Sequence, residues 1–135
     1  MKRELTNTET GILTIRSYSK DLTKKPGVYK MLDANKNILY IGKAKNLFNR
    51  VKSYTNLNNH TYRIKKMISE TRSMEFTITS TEAEALLLEA NLIKKNKPKY
   101  NIAMRDDKSF AKILVNKEHD YPRLMKYRGD NKLNG

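Results

Sequence analysis

The apolar positions fall in short runs whose period changes along the chain. Gly27 to Leu32 and Ile38 to Ile41 flank Asp33-Ala34-Asn35-Lys36-Asn37, a segment with the composition of a hairpin loop. With Asp33 to Lys36 as the loop proper, Leu32 pairs with Asn37 and Tyr29 lies opposite Tyr40. One face then carries Tyr29, Met31, Ile38 and Tyr40, and the other Val28, Leu32, Leu39 and Ile41. A register one residue off would part the two tyrosines. Pro26 lacks a backbone donor and Gly27 lacks a Cβ, a pair that suits the start of an edge strand or a tight entry into the hairpin.

The flanking segments read mostly as helices. Residues 1–10 are polar and aperiodic and are expected to fray, whereas Ile12, Ile15, Tyr18 and Leu22 fall near helical spacing and define a lead-in helix. After Gly42, which would let the chain turn sharply off the second strand, Leu47, Val51 and Tyr54 repeat at i, i+4 and i+7. That helix places Arg50 about two turns beyond Lys43. A second basic helix is predicted over Thr61 to Glu70, and the alternation of Met74 to Thr79 predicts a third strand. Thr81 and Glu84 have the spacing of a capping box for a helix from Glu82 to about Lys95, which Asn96-Lys97-Pro98 ends. Beyond Pro98 the run KYNIAMRDDKSF reads as irregular, followed by short strands at Lys112 to Val115 and Tyr121 to Tyr127. The expected organisation is an N-terminal extension over 1–22, a domain over 23–103 and a C-terminal extension over 104–135.

Charge and composition narrow the chemistry. The chain of 135 residues has 28 Lys and Arg against 14 Asp and Glu, a formal charge of +14, which favours polyanions such as nucleic acid. No apolar run is long enough to span a membrane, and a soluble, cytoplasmic protein is expected. With no cysteine and two isolated histidines, His60 and His119, the sequence offers no zinc cluster. Any metal must be held by oxygen. On the helix from Glu82, the widest apolar arc holds Leu92, Ala85, Leu86, Ile93 and Ala90, and Glu89 falls inside it. An inward carboxylate needs a cationic partner: an ion pair with Arg50 or a lysine is one solution, a metal ion the other. The tyrosines also fit a purely structural role in strands, and Lys43 and Arg50 taken singly fit solvated surface charges. Their combination with Glu89 and the Tyr100-Asn101 step is what packing alone does not require.

These residues resemble the GIY-YIG nuclease family, and more closely its UvrC-like branch, the N-terminal domain of a bacterial excinuclease. The likeness rests on Pro26-Gly27-Val28-Tyr29, Tyr40-Ile41-Gly42-Lys43-Ala44-Lys45-Asn46-Leu47, Arg50, the block EALLLEANLIKKNKPKYNI from Glu84, and Arg105-Asp106-Asp107-Lys108-Ser109. It implies an α+β fold, a small three-stranded antiparallel sheet flanked by helices, and a divalent-metal-dependent endonuclease. The implied catalytic residues are Tyr29, Tyr40, Lys43, Arg50, Glu89 and Asn101, with Glu89 holding Mg²⁺ or Mn²⁺ and no nucleotide cofactor. Lys43 would favour the phenolate of a tyrosine base, for which Tyr29 and Tyr40 are both candidates. Lys43, Lys45, Arg50, Lys94, Lys95, Arg105 and Lys108 would contact damaged double-stranded DNA, with incision 3′ to a lesion in a complex with UvrB. Proteins of that branch continue into further domains, so a fragment is expected. The rival readings are a stand-alone repair nuclease of the same family and a nonenzymatic basic nucleic-acid-binding module with Glu89 merely salt-bridged.

Overall fold

The computed structural model describes residues 4–105. Three strands, β1 (Gly27–Leu32), β2 (Ile38–Ala44) and β3 (Ser73–Ile78), form one antiparallel sheet in the order β2-β1-β3. The hairpin motif therefore supplies the central strand, β1, rather than an edge, and β2 is left at the sheet's rim. Four α-helices, α1 (Asn7–Ser19), α2 (Leu47–Ser53), α3 (Tyr62–Glu70) and α4 (Glu82–Asn96), surround the sheet, and α5 (Lys99–Arg105) follows Pro98. The site described below lies within the compact unit that ends at Asn101.

The hairpin register departs from the four-residue loop. Asp33 Oδ1 accepts the backbone N–H groups of Asn35 and Asn37, both at 2.9 Å, and Lys36 adopts φ 68°. Side-chain capture of the turn by aspartate, with one left-handed residue, lengthens the loop to the five residues Asp33 to Asn37, so that Leu32 pairs with Ile38. Tyr29 consequently pairs with Gly42 and Met31 with Tyr40, with a bulge between Met31 and Leu32. The slip relative to expectation is two residues, which preserves the face, so both tyrosines still point the same way. Past the bulge, Ile38 changes sides and packs with Val28, Ile41 and Ala85.

Each sheet face has its own cover. α4 lies on β1 and β2, where Ala85, Leu88, Leu92 and Ile93 meet Val28 and Ile41; Leu86 and Ala90, expected in its apolar arc, are exposed instead. The arc is rotated because Leu88, not Leu86, meets the sheet. On the opposite face α1, α2 and α3 bury Ile15, Leu47, Val51, Met67 and Ile68 completely. Residues 7–10, expected to fray, are helical, because Thr6 and Glu9 close a reciprocal capping box at the start of α1. The box expected on α4 is offset: Glu84 accepts from Ser80 N–H, while Thr81 accepts from Glu84 N–H. Lys97 at φ 47° ends α4, and the stretch after Pro98 that reads as irregular is α5 up to Arg105. The strands expected at 112–115 and 121–127 lie outside the described residues.

Gly11 is where α1 seats on α3. A Cβ there would strike the backbone carbonyl of Ile68, which cannot rotate away. Gly11→Ala should destabilise the domain by about 1–3 kcal/mol, the usual range for overpacking, lowering the midpoint of a thermal melt. An unchanged midpoint would show that α1 does not depend on this close approach.

Candidate active site

The rim of the sheet gathers the polar residues. β2 hydrogen-bonds to β1 on one side only, so its outer N–H and C=O groups need partners from elsewhere. Asn101 supplies two: its Oδ1 accepts Ile41 N–H at 2.8 Å and its Nδ2 donates to Ile41 C=O at 2.9 Å. Glu89 supplies the next, its Oε2 accepting Lys43 N–H at 3.1 Å. Both side chains thus grip the backbone of the Tyr40-Ile41-Gly42-Lys43 strand itself.

Three phenols meet on the other side of that strand. Tyr29 and Tyr54 share a hydrogen bond of 2.6 Å between their hydroxyls, and the rings of Tyr29 and Tyr40 lie 6.1 Å apart. Gly42 makes this possible, because a Cβ at its position would collide with Cζ and Oη of Tyr29. Its role is space for a ring across the strand, not a turn, since β2 continues through it to Ala44. His60 stacks on Tyr54, its ring 5.4 Å away and 13° from parallel, with Nε2 2.7 Å from the Ser53 carbonyl. Tyr54 reads in the sequence only as an apolar helix position. The signal that marks it is its i+4 spacing from Arg50, which puts both on one side of α2.

Electrostatics tie the pieces together. Burial pushes the Tyr29 hydroxyl well above the usual phenol range, Tyr54 and Tyr40 push it further, and Arg50 pulls it back. Tyr40 is likewise raised, by burial, Tyr54 and Glu89, and lowered by Arg50; Tyr54 is raised by burial against the Tyr29 hydrogen bond and Arg50. The cation that opposes phenol burial is therefore Arg50. Lys43, expected to depress a tyrosine, holds its ammonium 3.6 Å from Glu82 instead. Burial also raises the Glu89 carboxyl, against Lys43, its backbone N–H and Arg50.

Glu89 is neither turned outwards nor locked in an ion pair. Its Oε1 has no protein partner among the described residues, and no cluster of three His, Cys, Asp or Glu occurs among them. One free carboxylate oxygen in an all-oxygen setting fits a hard, largely hydrated cation such as Mg²⁺. Lys45 is exposed between β2 and α2, and Lys94 and Lys95 are exposed on the last turn of α4, about 8 Å along the axis from Glu89. The Arg105 side chain and Lys108 lie outside the described part of the chain.

A small antiparallel sheet whose first two strands carry GVY and YIG, with an arginine on the next helix and a glutamate on a later one, is the arrangement of a GIY-YIG domain. The UvrC-like GIY-YIG domain family matches residues 25–102, and the chain belongs to it. It is 55% identical over 120 residues to the UvrABC system protein C of Cereibacter sphaeroides, covering 89% of this chain and 19% of that protein. It is 50% identical over 127 residues to that of Sphingopyxis alaskensis, covering 94% and 20%. The chain thus spans about a fifth of the length of these relatives. Among solved structures, the N-terminal GIY-YIG endonuclease domain of UvrC from Thermotoga maritima, bound to magnesium as its catalytic divalent cation, superposes with a TM-score of 0.58 at 42% identity, covering 64% of this chain and 93% of that one. A tyrosine-to-phenylalanine variant of the same domain matches at 0.58 and 41%, with coverages of 64% and 92%.

Asn101→Ala leaves two backbone groups of Ile41 without their side-chain partners. An unsatisfied buried group costs about 1–3 kcal/mol, so the variant should melt at a lower temperature, with faster amide exchange at Ile41 than at Lys30 across the ladder. Equal exchange at the two positions would show that the rim of β2 is held by something else.

Proposed function

We propose that this chain is the metal-dependent DNA endonuclease domain of a nucleotide excision repair protein, hydrolysing a phosphodiester 3′ to a lesion. The observation that carries the reading is Glu89: a half-buried carboxylate with one oxygen spoken for by the YIG strand and the other free, beside three phenols and Arg50. A nonenzymatic basic module would have no use for a carboxylate left out of ion-pair distance of any cation among the described residues. The magnesium bound to the Thermotoga maritima domain as its catalytic divalent cation supports a divalent cation in this domain too. Membership of this family supports damaged double-stranded DNA as substrate, UvrB as partner and the cytoplasm as location; among the described residues no helix is long and apolar enough to cross a membrane.

The chain's residues divide the work. Glu89 would hold Mg²⁺ or Mn²⁺, which supplies charge relief to the phosphate. Arg50 grips a nonbridging oxygen with its planar fork and is the charge that makes the neighbouring phenols easier to ionise. Of the three tyrosines, Tyr40 alone keeps more than a trace of exposed surface, while Tyr29 and Tyr54 are 1% and 5% exposed. Tyr40 is therefore the candidate base for an attacking water, and Tyr29 with Tyr54 positions it. Asn101 acts through the strand it holds, as a positioning residue. Lys43, Lys45, Lys94 and Lys95 contribute phosphate attraction.

Glu89→Gln separates the two readings in one protein. It should abolish Mg²⁺-dependent nicking while DNA affinity stays within about twofold, since a single neutralised acid weakens no phosphate contact. Because burial raises the Glu89 carboxyl, the folded state favours its protonated form. That contribution is present at low pH and lost as pH rises through the raised value, so at neutral pH the charge costs stability. The metal-free Gln variant should consequently melt higher than the parent. Undiminished nicking would refute the metal role.

The same raised carboxyl sets an acid limit on activity. Metal binding needs the carboxylate, so nicking at fixed Mg²⁺ should fall away on acidification at a pH above the exposed-glutamate value of about 4.3. Raising Mg²⁺ should move that limit to lower pH. A limit insensitive to Mg²⁺ would assign it to another group.

A further inference from the structure

The α1 helix lies outside the matched family span, which begins at residue 25, yet with α2 it forms a groove of about 560 Å³. Its floor is apolar, with Leu13 and Phe48, and its lining includes Arg16, Lys20 and Lys52 and no carboxylate. Lys24 joins them from the loop before β1: the ammonium groups of Lys24 and Lys52 lie 5.9 and 5.4 Å from the centre of the Phe48 ring. None of these four cations has a carboxylate at ion-pair distance among the described residues, whereas Lys30, Lys43, Lys66 and Lys99 all do. Four uncompensated positive charges around one apolar slot repel each other, and the arrangement makes sense once an anion shares it.

We propose that this groove binds an unpaired DNA strand, with phosphates on Arg16, Lys20, Lys24 and Lys52 and a base or sugar against Leu13 and Phe48. A cationic groove with an aromatic wall is the physical recipe for holding a single strand without reading its sequence. Lys52 lies two residues from Arg50 on the same short helix, on the opposite side of it, so a strand leaving the proposed scissile phosphate would reach the groove by passing over α2. The proposal rests on the nuclease reading for that direction only; the groove's charge and shape stand without it.

The test uses this chain and a fluorescein-labelled unpaired 20-nucleotide DNA. The double variant Arg16→Glu, Lys20→Glu should bind it about tenfold more weakly, and the slope of log K against log salt should flatten by about 0.7 for each phosphate no longer held. Lys36→Glu, a charge reversal at an exposed hairpin position, should change neither by comparable amounts. Because the chain has no cysteine, Ser17→Cys on the groove wall can carry a tethered iron chelate, which should cut the bound strand more strongly than one tethered at Lys36→Cys. Equal affinity and slope in the double variant, or equal cutting from both tethers, overturns the groove. If the parent chain nicks DNA while these outcomes fail, the nuclease reading stands alone. If the double variant loses binding but the parent never nicks, the groove stands and the nuclease reading falls.

Discussion

The outer rim of β2 is the constraint on which the site depends. A sheet edge presents unpaired N–H and C=O groups that invite another strand, and leaving them buried without partners costs about 1–3 kcal/mol each. Here the rim is closed by side chains from two later elements. Asn101 covers both backbone groups of Ile41, and Glu89 takes the N–H of Lys43. Closing the edge and assembling the site are the same act, because the residues between and beside those bonds are Tyr40, Gly42 and Lys43.

From that rim the two layers of the domain meet. α4 brings Glu89 from the side where Val28, Ile41 and Ala85 pack, and α2 brings Arg50 and Tyr54 from the other. The glycine of YIG lets the ring of Tyr29 lie across the strand, and His60 lies flat against Tyr54. Burial raises three phenols and one carboxyl collected there, and Arg50 opposes it in all four cases. A single guanidinium, exposed enough to meet a phosphate, is thus the one charge that opposes burial at all four groups, with Lys43 adding to it at Glu89.

What the sequence made legible followed from periodicity that survives small errors. The tyrosine face was readable although the register was off by two residues, because parity sets the face and the aspartate-captured turn changed only the pairing. Glu89 faced inward although the arc drawn around it was rotated, since its neighbours Ala85 and Leu92 sit on the sheet in either case. The rest is non-local. Nothing along the chain shows that Asn101 would reach back to Ile41, 60 residues away, or that Lys43 would turn to Glu82. Nor does it show that Tyr54 would bond Tyr29. α5 was hidden because a charged, irregular-looking run follows it, and Tyr100, 3% exposed, supplies the buried anchor that composition alone does not reveal.

The metal role proposed for Glu89 would place a divalent cation on one carboxylate in a chain of net charge +14. The field of 28 Lys and Arg repels a free metal ion, and the burial of Glu89 favours a proton in the ion's place. Under that proposal both penalties would reverse with a polyanion, whose phosphates would neutralise the field and offer further oxygen ligands. Binding of ion and DNA is then mutually reinforcing, and by linkage each raises the other's affinity by the same factor. A weak site at Glu89 would then be an adequate one, since the substrate would complete it, and that coupling would separate cleaving DNA from merely adhering to it.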